Sequence, residues 1–162
     1  MAWAVERMAR EGAIRIRAGE GKWTDARGRE WSADRFHSGG SPSRTILSNP
    51  ISGTDAEPLF VRHRLFARSE MWSGYRIPCP RGKYRVSLGF AEVYYTRPGQ
   101  RVFGVRIQGR KALDDFDPIA EAGASTALWR VFEAEVEDGF LEIQLVPEVD
   151  YPMISAIEVQ RL

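Results

Sequence analysis

Apolar and polar residues alternate with a period of two over much of this chain, and glycine or proline interrupts the alternation at short intervals. The pattern is clearest in Ala13 to Ala18, Lys83 to Phe90 and Phe103 to Gln108. A period of two places apolar side chains on one face of a β-strand, whereas an amphipathic helix needs a spacing of three or four residues. The chain contains about nine or ten such segments, at the spacing typical of an antiparallel β-sandwich or barrel. It is therefore predicted to be all-β.

The last third of the chain continues this pattern. Strands are predicted from Leu128 to Val136 and from Leu141 to Leu145, and the Asp138-Gly139 pair between them predicts a hairpin turn. Ile157 and Val159 mark a final strand.

Helical signals are few. Asp117-Pro118 predicts the cap of one short turn, because proline is favoured at the first helical position, and the N-terminal segment is the place for another. Residues 37–57, rich in Ser, Gly, Pro and Asp, predict a long surface loop. We predict a single domain over 13–162, preceded by an N-terminal extension over 1–12.

Composition excludes several classes of protein. Lys and Arg number 23 against 22 Asp and Glu in 162 residues, so the formal net charge is only +1. Nucleic-acid binding is not expected, because contacts to phosphates need an excess of basic surface. One cysteine excludes an intrachain disulfide, and two histidines leave little room for a metal centre. We expect no metal and no cofactor.

Targeting signals are also absent from the sequence. No apolar run reaches the roughly 20 residues of a membrane span, and the first ten residues do not resemble a signal peptide. The absence fits a cytoplasmic protein, and it equally fits a module of a longer protein that is secreted or lies at the cell surface.

Enzymatic motifs are missing. No Gly-x-Ser-x-Gly or phosphate-binding glycine loop occurs, and Cys79 lies between two prolines in an extended segment. The acidic residues Asp114, Asp115, Asp117 and Glu121 are interpreted as a solvated turn with a helix cap. Calcium binding and glycosidase-like or lyase-like catalysis by Asp117 and Glu121 are the alternatives.

His63 stands between Arg62 and Arg64. Two flanking cations disfavour both protonation and metal binding of an imidazole. A structural or hydrogen-bonding role is therefore predicted for His63 rather than a role as a ligand.

Two segments have the chemistry of a sugar-binding site. Tyr94 and Tyr95 follow a predicted strand, and tyrosine combines a flat ring with a hydroxyl group. Asp150 precedes Tyr151-Pro152, and a carboxylate can accept hydrogen bonds from two adjacent hydroxyls. The alternatives are a core tyrosine beside a covering one, and a simple turn at Asp150. Trp72 to Tyr75 is a third aromatic segment, suited to packing or to recognition.

Several motifs in the same order resemble the malectin domain, a family of carbohydrate-binding modules. The resemblance covers about residues 13–160. It is most specific in Phe90 to Tyr95 followed by Pro98 to Phe103, and it continues in Leu113 to Asp117, Glu121 to Gly123 and Asp150 to Pro152.

The resemblance implies a jelly-roll β-sandwich, similar to galactose-binding domains, that binds a short glucan such as an α-linked glucose disaccharide without catalysis. It also implies that Tyr94 and Tyr95 are aromatic walls and that Asp150 holds sugar hydroxyls. One departure is that a binding tyrosine of the family falls on Leu65, and Phe66 is expected to substitute only after a small register shift. A further family tyrosine is missing between Ser43 and Thr45.

The sequence thus predicts a non-catalytic module that recognises a short neutral glycan, most readily one containing glucose. The alternative is a malectin-like domain that has lost sugar binding and recognises a protein. In either case we expect a module of a larger parent, such as a glycoside hydrolase or a surface protein, with an oligosaccharide or polysaccharide ligand and no nucleic-acid partner.

Overall fold

Two antiparallel sheets form the body of the protein in a computed structural model, which describes residues 1–44, 46–68 and 71–162. Numbered along the chain, the four-stranded sheet has the spatial order β1 (Ala13–Arg17), β14 (Ala156–Arg161), β8 (Gly82–Phe90) and β11 (Leu128–Val136). The five-stranded sheet has the order β10 (Arg110–Phe116), β9 (Val102–Ile107), β12 (Phe140–Val149), β7 (Gly74–Pro78) and β4 (His37–Ser38).

Smaller elements connect or flank these sheets. Three two-residue strands, β13 (Met153–Ile154), β6 (Arg64–Leu65) and β5 (Ser41–Pro42), make a small sheet of their own, and β2 (Trp23–Thr24) pairs with β3 (Glu30–Trp31). The helices are α1 (Ala2–Glu11) and α2 (Pro118–Ala122), together with a 3-10 turn at Glu57–Leu59. The predicted antiparallel β-sandwich is confirmed.

The core lies between the two large sheets, as the period-two pattern predicts. Alternate residues of β8 and of β12 are buried and pack in one cluster: Tyr84, Val86, Leu88 and Phe90 with Leu141, Ile143 and Leu145. Burying apolar area of this kind is the main favourable contribution to folding.

The predicted hairpin at Asp138-Gly139 is wrong. The turn exists, with Gly139 at a φ of +88°, but β11 pairs with β8 whereas β12 pairs with β7 and β9. The two strands therefore lie in opposite sheets. A glycine turn reverses the chain direction, and it does not decide whether the returning strand pairs with its predecessor or crosses to the other layer of a sandwich.

Both of the predicted helical segments are present. In α2 the Asp117 carboxylate accepts hydrogen bonds from the backbone N–H groups of Ile119 and Ala120, at 3.0 and 3.1 Å, so the predicted cap is confirmed. The N-terminal helix α1, ten residues long, exceeds the short turn that was expected. It packs Ala4 and Met8 into the main core.

The predicted loop over residues 37–57 contains more structure than expected. It includes β4 and β5, and Ile51 is buried in a second apolar cluster. Backbone hydrogen bonds join Ser52 to Ser125 and Ala127, so the loop is fixed against the segment that precedes β11. This packing places the loop close to the end of the sandwich where β8 and β12 terminate.

Candidate functional site

A cleft of about 750 Å³ opens at the end of the sandwich where β8 and β12 terminate. Four chain segments form its walls: the loop after β5, the residues around β6, those after β8 and those after β12. Its lining includes Leu65, Tyr94, Tyr95, Arg101, Asp150 and Tyr151.

The two tyrosines after β8 are held in a tight turn. The Glu92 carboxylate is buried, and its Oε1 accepts hydrogen bonds from the backbone N–H groups of Tyr94 and Tyr95 at 3.0 and 3.2 Å. The two rings meet edge to face, with 4.8 Å between their centroids. Tyr94 is 63% exposed, so its ring presents a free face to the cleft.

Tyr95 connects this turn to the segment after β12. Its hydroxyl group donates a short hydrogen bond to Oδ2 of Asp150. That hydrogen bond, followed by burial and by the Asp150 charge, raises the pKa of Tyr95 above its ordinary value. The structure thus brings Tyr94 and Tyr95 together with Asp150, which follows Tyr95 by 55 residues in the chain.

A buried ion pair lies beneath the cleft. Nε of Arg101 donates to Oε2 of Glu92, and Nη1 of Arg101 donates to the carbonyl oxygen of Tyr151. The guanidinium carbon also lies 5.2 Å from the centroid of the Tyr95 ring. Sequence reasoning placed Arg101 in a matching motif and gave it no role. The sequence signal available for it is only an arginine directly before the apolar residues that begin β9.

His63 lines the cleft from a fully buried position. Within the described parts of the chain, neither of its ring nitrogens has a hydrogen-bond partner. Burial, followed by the positive charges of Arg101 and Arg62, lowers the pKa of His63 to about 3. The imidazole is therefore neutral at ordinary pH. Of the two roles predicted for His63, its full burial agrees with the structural one.

Leu65 and Phe66 have different positions. Leu65 lines the cleft, whereas Phe66 is fully buried and packs edge to face against Tyr75, with centroids 6.1 Å apart. Adjacent residues of an extended segment point to opposite faces, so Phe66 has no surface to offer a ligand and does not replace the missing ring. The sequence has no tyrosine in the loop from Ser43 to Thr45, where a further family tyrosine was expected. Thr45 itself lies outside the described residues.

No residue of the third aromatic candidate segment, Trp72 to Tyr75, lines the cleft. Tyr75 is fully buried, and its hydroxyl group donates to Asp34 at 2.9 Å. This segment therefore has a packing role at Tyr75.

The candidate catalytic residues are engaged elsewhere. Besides capping α2, Asp117 accepts a hydrogen bond from the backbone of Gly99, and Glu121 pairs with Arg130. Cys79 is buried, and burial raises the pKa of its thiol to about 12. These groups line no part of the cleft.

The remaining acidic residues form a separate cluster. Carboxylate oxygens of Asp114, Asp115 and Glu148 lie within 4.8 Å of one another. Asp114 also pairs with Lys111 at 2.8 Å. Exposed acidic groups of this kind are common without an ion. Asp114 and Asp115 are exposed, as predicted, but they lie in β10 and the predicted turn is wrong for them.

Comparison with known protein families shows to which family the chain belongs. The model of the malectin domain family matches residues 13–157. The chain belongs to the malectin family. The resemblance predicted from the sequence is confirmed. Malectin of Homo sapiens is 36% identical over 72 residues, which are 44% of this chain and 25% of that protein.

Solved structures show the same fold. The ANX1 ectodomain from Arabidopsis thaliana superposes with a TM-score of 0.83 at 14% identity, over 91% of this malectin domain and 47% of that chain. The β-glucuronidase of Bacteroides uniformis superposes with a TM-score of 0.80 at 20% identity, over 93% and 18% of the two chains. This malectin domain thus spans less than half of each of these proteins. Among its described residues, no helix is long and apolar enough to cross a membrane.

Proposed function

We propose that this malectin domain is a non-catalytic carbohydrate-binding module whose cleft holds a short neutral glycan, with a glucose-containing oligosaccharide as the first candidate. The observation that carries the proposal is the convergence of Tyr94, Tyr95 and Asp150 on one open cleft. The family binds glycans in animals, and the chemistry of the cleft agrees with that activity.

The cleft offers the two kinds of contact that a sugar needs. The exposed ring of Tyr94 can stack on the apolar C–H face of a pyranose. Asp150 accepts the Tyr95 hydroxyl through Oδ2, which leaves Oδ1 and the second lone pair of Oδ2 for sugar hydroxyls. The Arg101 charge is balanced by Glu92, whereas Arg44, an exposed cation that also lines the cleft, can donate hydrogen bonds to sugar hydroxyls.

Absence of catalysis is part of the proposal. Hydrolysis of a glycoside uses two carboxyl groups that flank the bond to be broken. Glu92 is buried in an ion pair with Arg101, and among the described residues Asp150 is the one carboxylate that lines the cleft. The family as a whole is non-catalytic.

Recognition of a protein is the second candidate function. Leu65 occupies a position where the family has a binding tyrosine, and Ile46 and Tyr151 add exposed apolar surface to the cleft. An apolar rim with fewer rings favours a peptide over a sugar.

We also propose that the parent is a larger protein, either a glycoside hydrolase or a receptor at the cell surface, because the matched region is a fraction of each relative.

The test is binding of a glycan panel, followed by calorimetry with α-linked glucose disaccharides. Tyr94→Ala and Asp150→Asn are expected to abolish measurable binding and to leave the fold intact. Asn is chosen because Asp150 has a φ of +58°, which Asn tolerates and Ala does not. Val131→Ala, at an exposed site on β11, is the control and is expected to bind like the wild type.

Three results would each contradict a part of the proposal. Retained binding in both Tyr94→Ala and Asp150→Asn would remove these residues from the site. A blank glycan panel together with a stoichiometric protein partner would favour the second candidate. Release of reducing sugar from a polysaccharide would contradict the absence of catalysis.

A further inference from the structure

The turn after β12 presents two consecutive side chains to the cleft. In a regular extended segment, neighbouring side chains point to opposite faces. Asp150 departs from this geometry, because its φ of +58° lies in the left-handed region. Asp150 and Tyr151 consequently both line the cleft.

Contacts on both sides fix this turn. The Tyr95 hydroxyl donates to the Asp150 carboxylate, and Nη1 of Arg101 donates to the carbonyl oxygen of Tyr151. Arg101 is itself buried and paired with Glu92. The backbone of Tyr151 is therefore anchored to the interior of the domain, although left-handed backbone at a residue other than glycine is unfavourable.

The side chain of Tyr151 has no comparable anchor. It is 45% exposed, and in the described parts of the chain its ring makes no aromatic contact and its hydroxyl group makes no hydrogen bond. A fixed backbone that carries an exposed and unengaged ring is the arrangement expected of a contact residue, because little freedom is lost when a ligand covers the ring.

We propose that Tyr151 is a third aromatic wall of the cleft and stacks on a sugar ring of the bound glycan. This inference rests on the proposed function. Tyr94 and Tyr151 come from different segments, so their rings reach the ligand from separate parts of the cleft. Tyr151 thereby supplies a stacking face in a cleft where Leu65 occupies the position of a family tyrosine.

The experiment compares Tyr151→Ala, Tyr151→Phe and Tyr94→Ala by calorimetry with α-linked glucose disaccharides. Tyr151→Ala is expected to weaken binding roughly ten-fold, because an aromatic contact and its buried area are lost. Tyr151→Phe keeps the ring and is expected to stay within about three-fold of the wild type. Both variants are expected to melt at the wild-type temperature, since the altered atoms are exposed. Val131→Ala again serves as the control.

The outcomes separate the two proposals. If the wild type binds, Tyr94→Ala loses binding and Tyr151→Ala binds like the wild type, then the role of Tyr151 is refuted and the proposed function stands. Equal weakening in Tyr151→Ala and Tyr151→Phe would refute stacking, because it would assign the contact to the hydroxyl group. If the wild type binds no glycan, both proposals are wrong.

Discussion

Between pH 7 and pH 5, acid is expected to destabilise this domain through His63. Its ring is fully buried, and both nitrogens lack partners in the described parts of the chain. Its pKa is about 3 in the folded protein, against about 6.5 in an unfolded chain. Between these two values the unfolded state binds a proton that the folded state does not. Stability is therefore complete above the unfolded pKa and falls as the pH decreases towards 3.

The size of the effect follows from the same two values. Each unit of separation corresponds to about 1.4 kcal/mol, so the whole window corresponds to about 5 kcal/mol of unfolding free energy. Between pH 7 and pH 5 the expected loss is about 2 kcal/mol. A loss of that size moves a urea midpoint by about 1 M, given ordinary urea slopes.

The assay is urea unfolding of the wild type, His63→Leu and His37→Gln at pH 7 and pH 5. His37, the other histidine, is exposed and provides the matched control. His63→Leu is expected to remove about 2 kcal/mol of the loss between these pH values, whereas His37→Gln keeps it. Other groups, such as Asp25 with its pKa lowered to about 2, are common to all three proteins. An equal loss in the wild type and in His63→Leu would refute the reasoning.

Two further predictions concern stability. Arg101→Met is expected to cost about 3 to 5 kcal/mol of unfolding free energy, because it leaves the buried Glu92 carboxylate without its partner. Arg97→Met, at an exposed position nearby, is the control. Equal stability of the two variants in urea would contradict the prediction. Met8→Ala is expected to cost about 2 to 5 kcal/mol, because Met8 packs in the main core. If Met8→Ala were as stable as the wild type, α1 would not contribute to the core. It would then be a separate extension, in agreement with the predicted start of the domain at residue 13.

The sequence was a good guide to the individual strands and a poor one to their pairing. The strands β8 and β11 could be predicted because the alternation of apolar and polar residues depends only on which face of the strand each side chain occupies. The turn at Asp138-Gly139 carries no information about which layer β12 joins, so its partners β7 and β9 could not be predicted from the turn.

Some residues of the candidate site could also be predicted from the sequence, and others could not. Ordered motifs predicted that Tyr94, Tyr95 and Asp150 belong to one site, and the structure brings them to one cleft. Phe66 was proposed through a shift of one residue, and such a shift moves a side chain to the opposite face. Glu92 and Arg101 lie near the two ends of the connection between β8 and β9. Their pairing depends on how that connection folds back, which no periodic pattern in the sequence predicts.

The direction of β8 has a practical consequence for measuring this domain. The cleft follows Phe90 at the end of the strand, whereas the backbone of Leu162 bonds to Lys83 near its start, at 2.9 Å. Seven residue steps lead from Lys83 to Phe90, and at about 3.3 Å each they separate the two places by roughly 23 Å. A tag fused after Leu162 can therefore tether the protein to a sensor or an array with its binding face turned towards the solution.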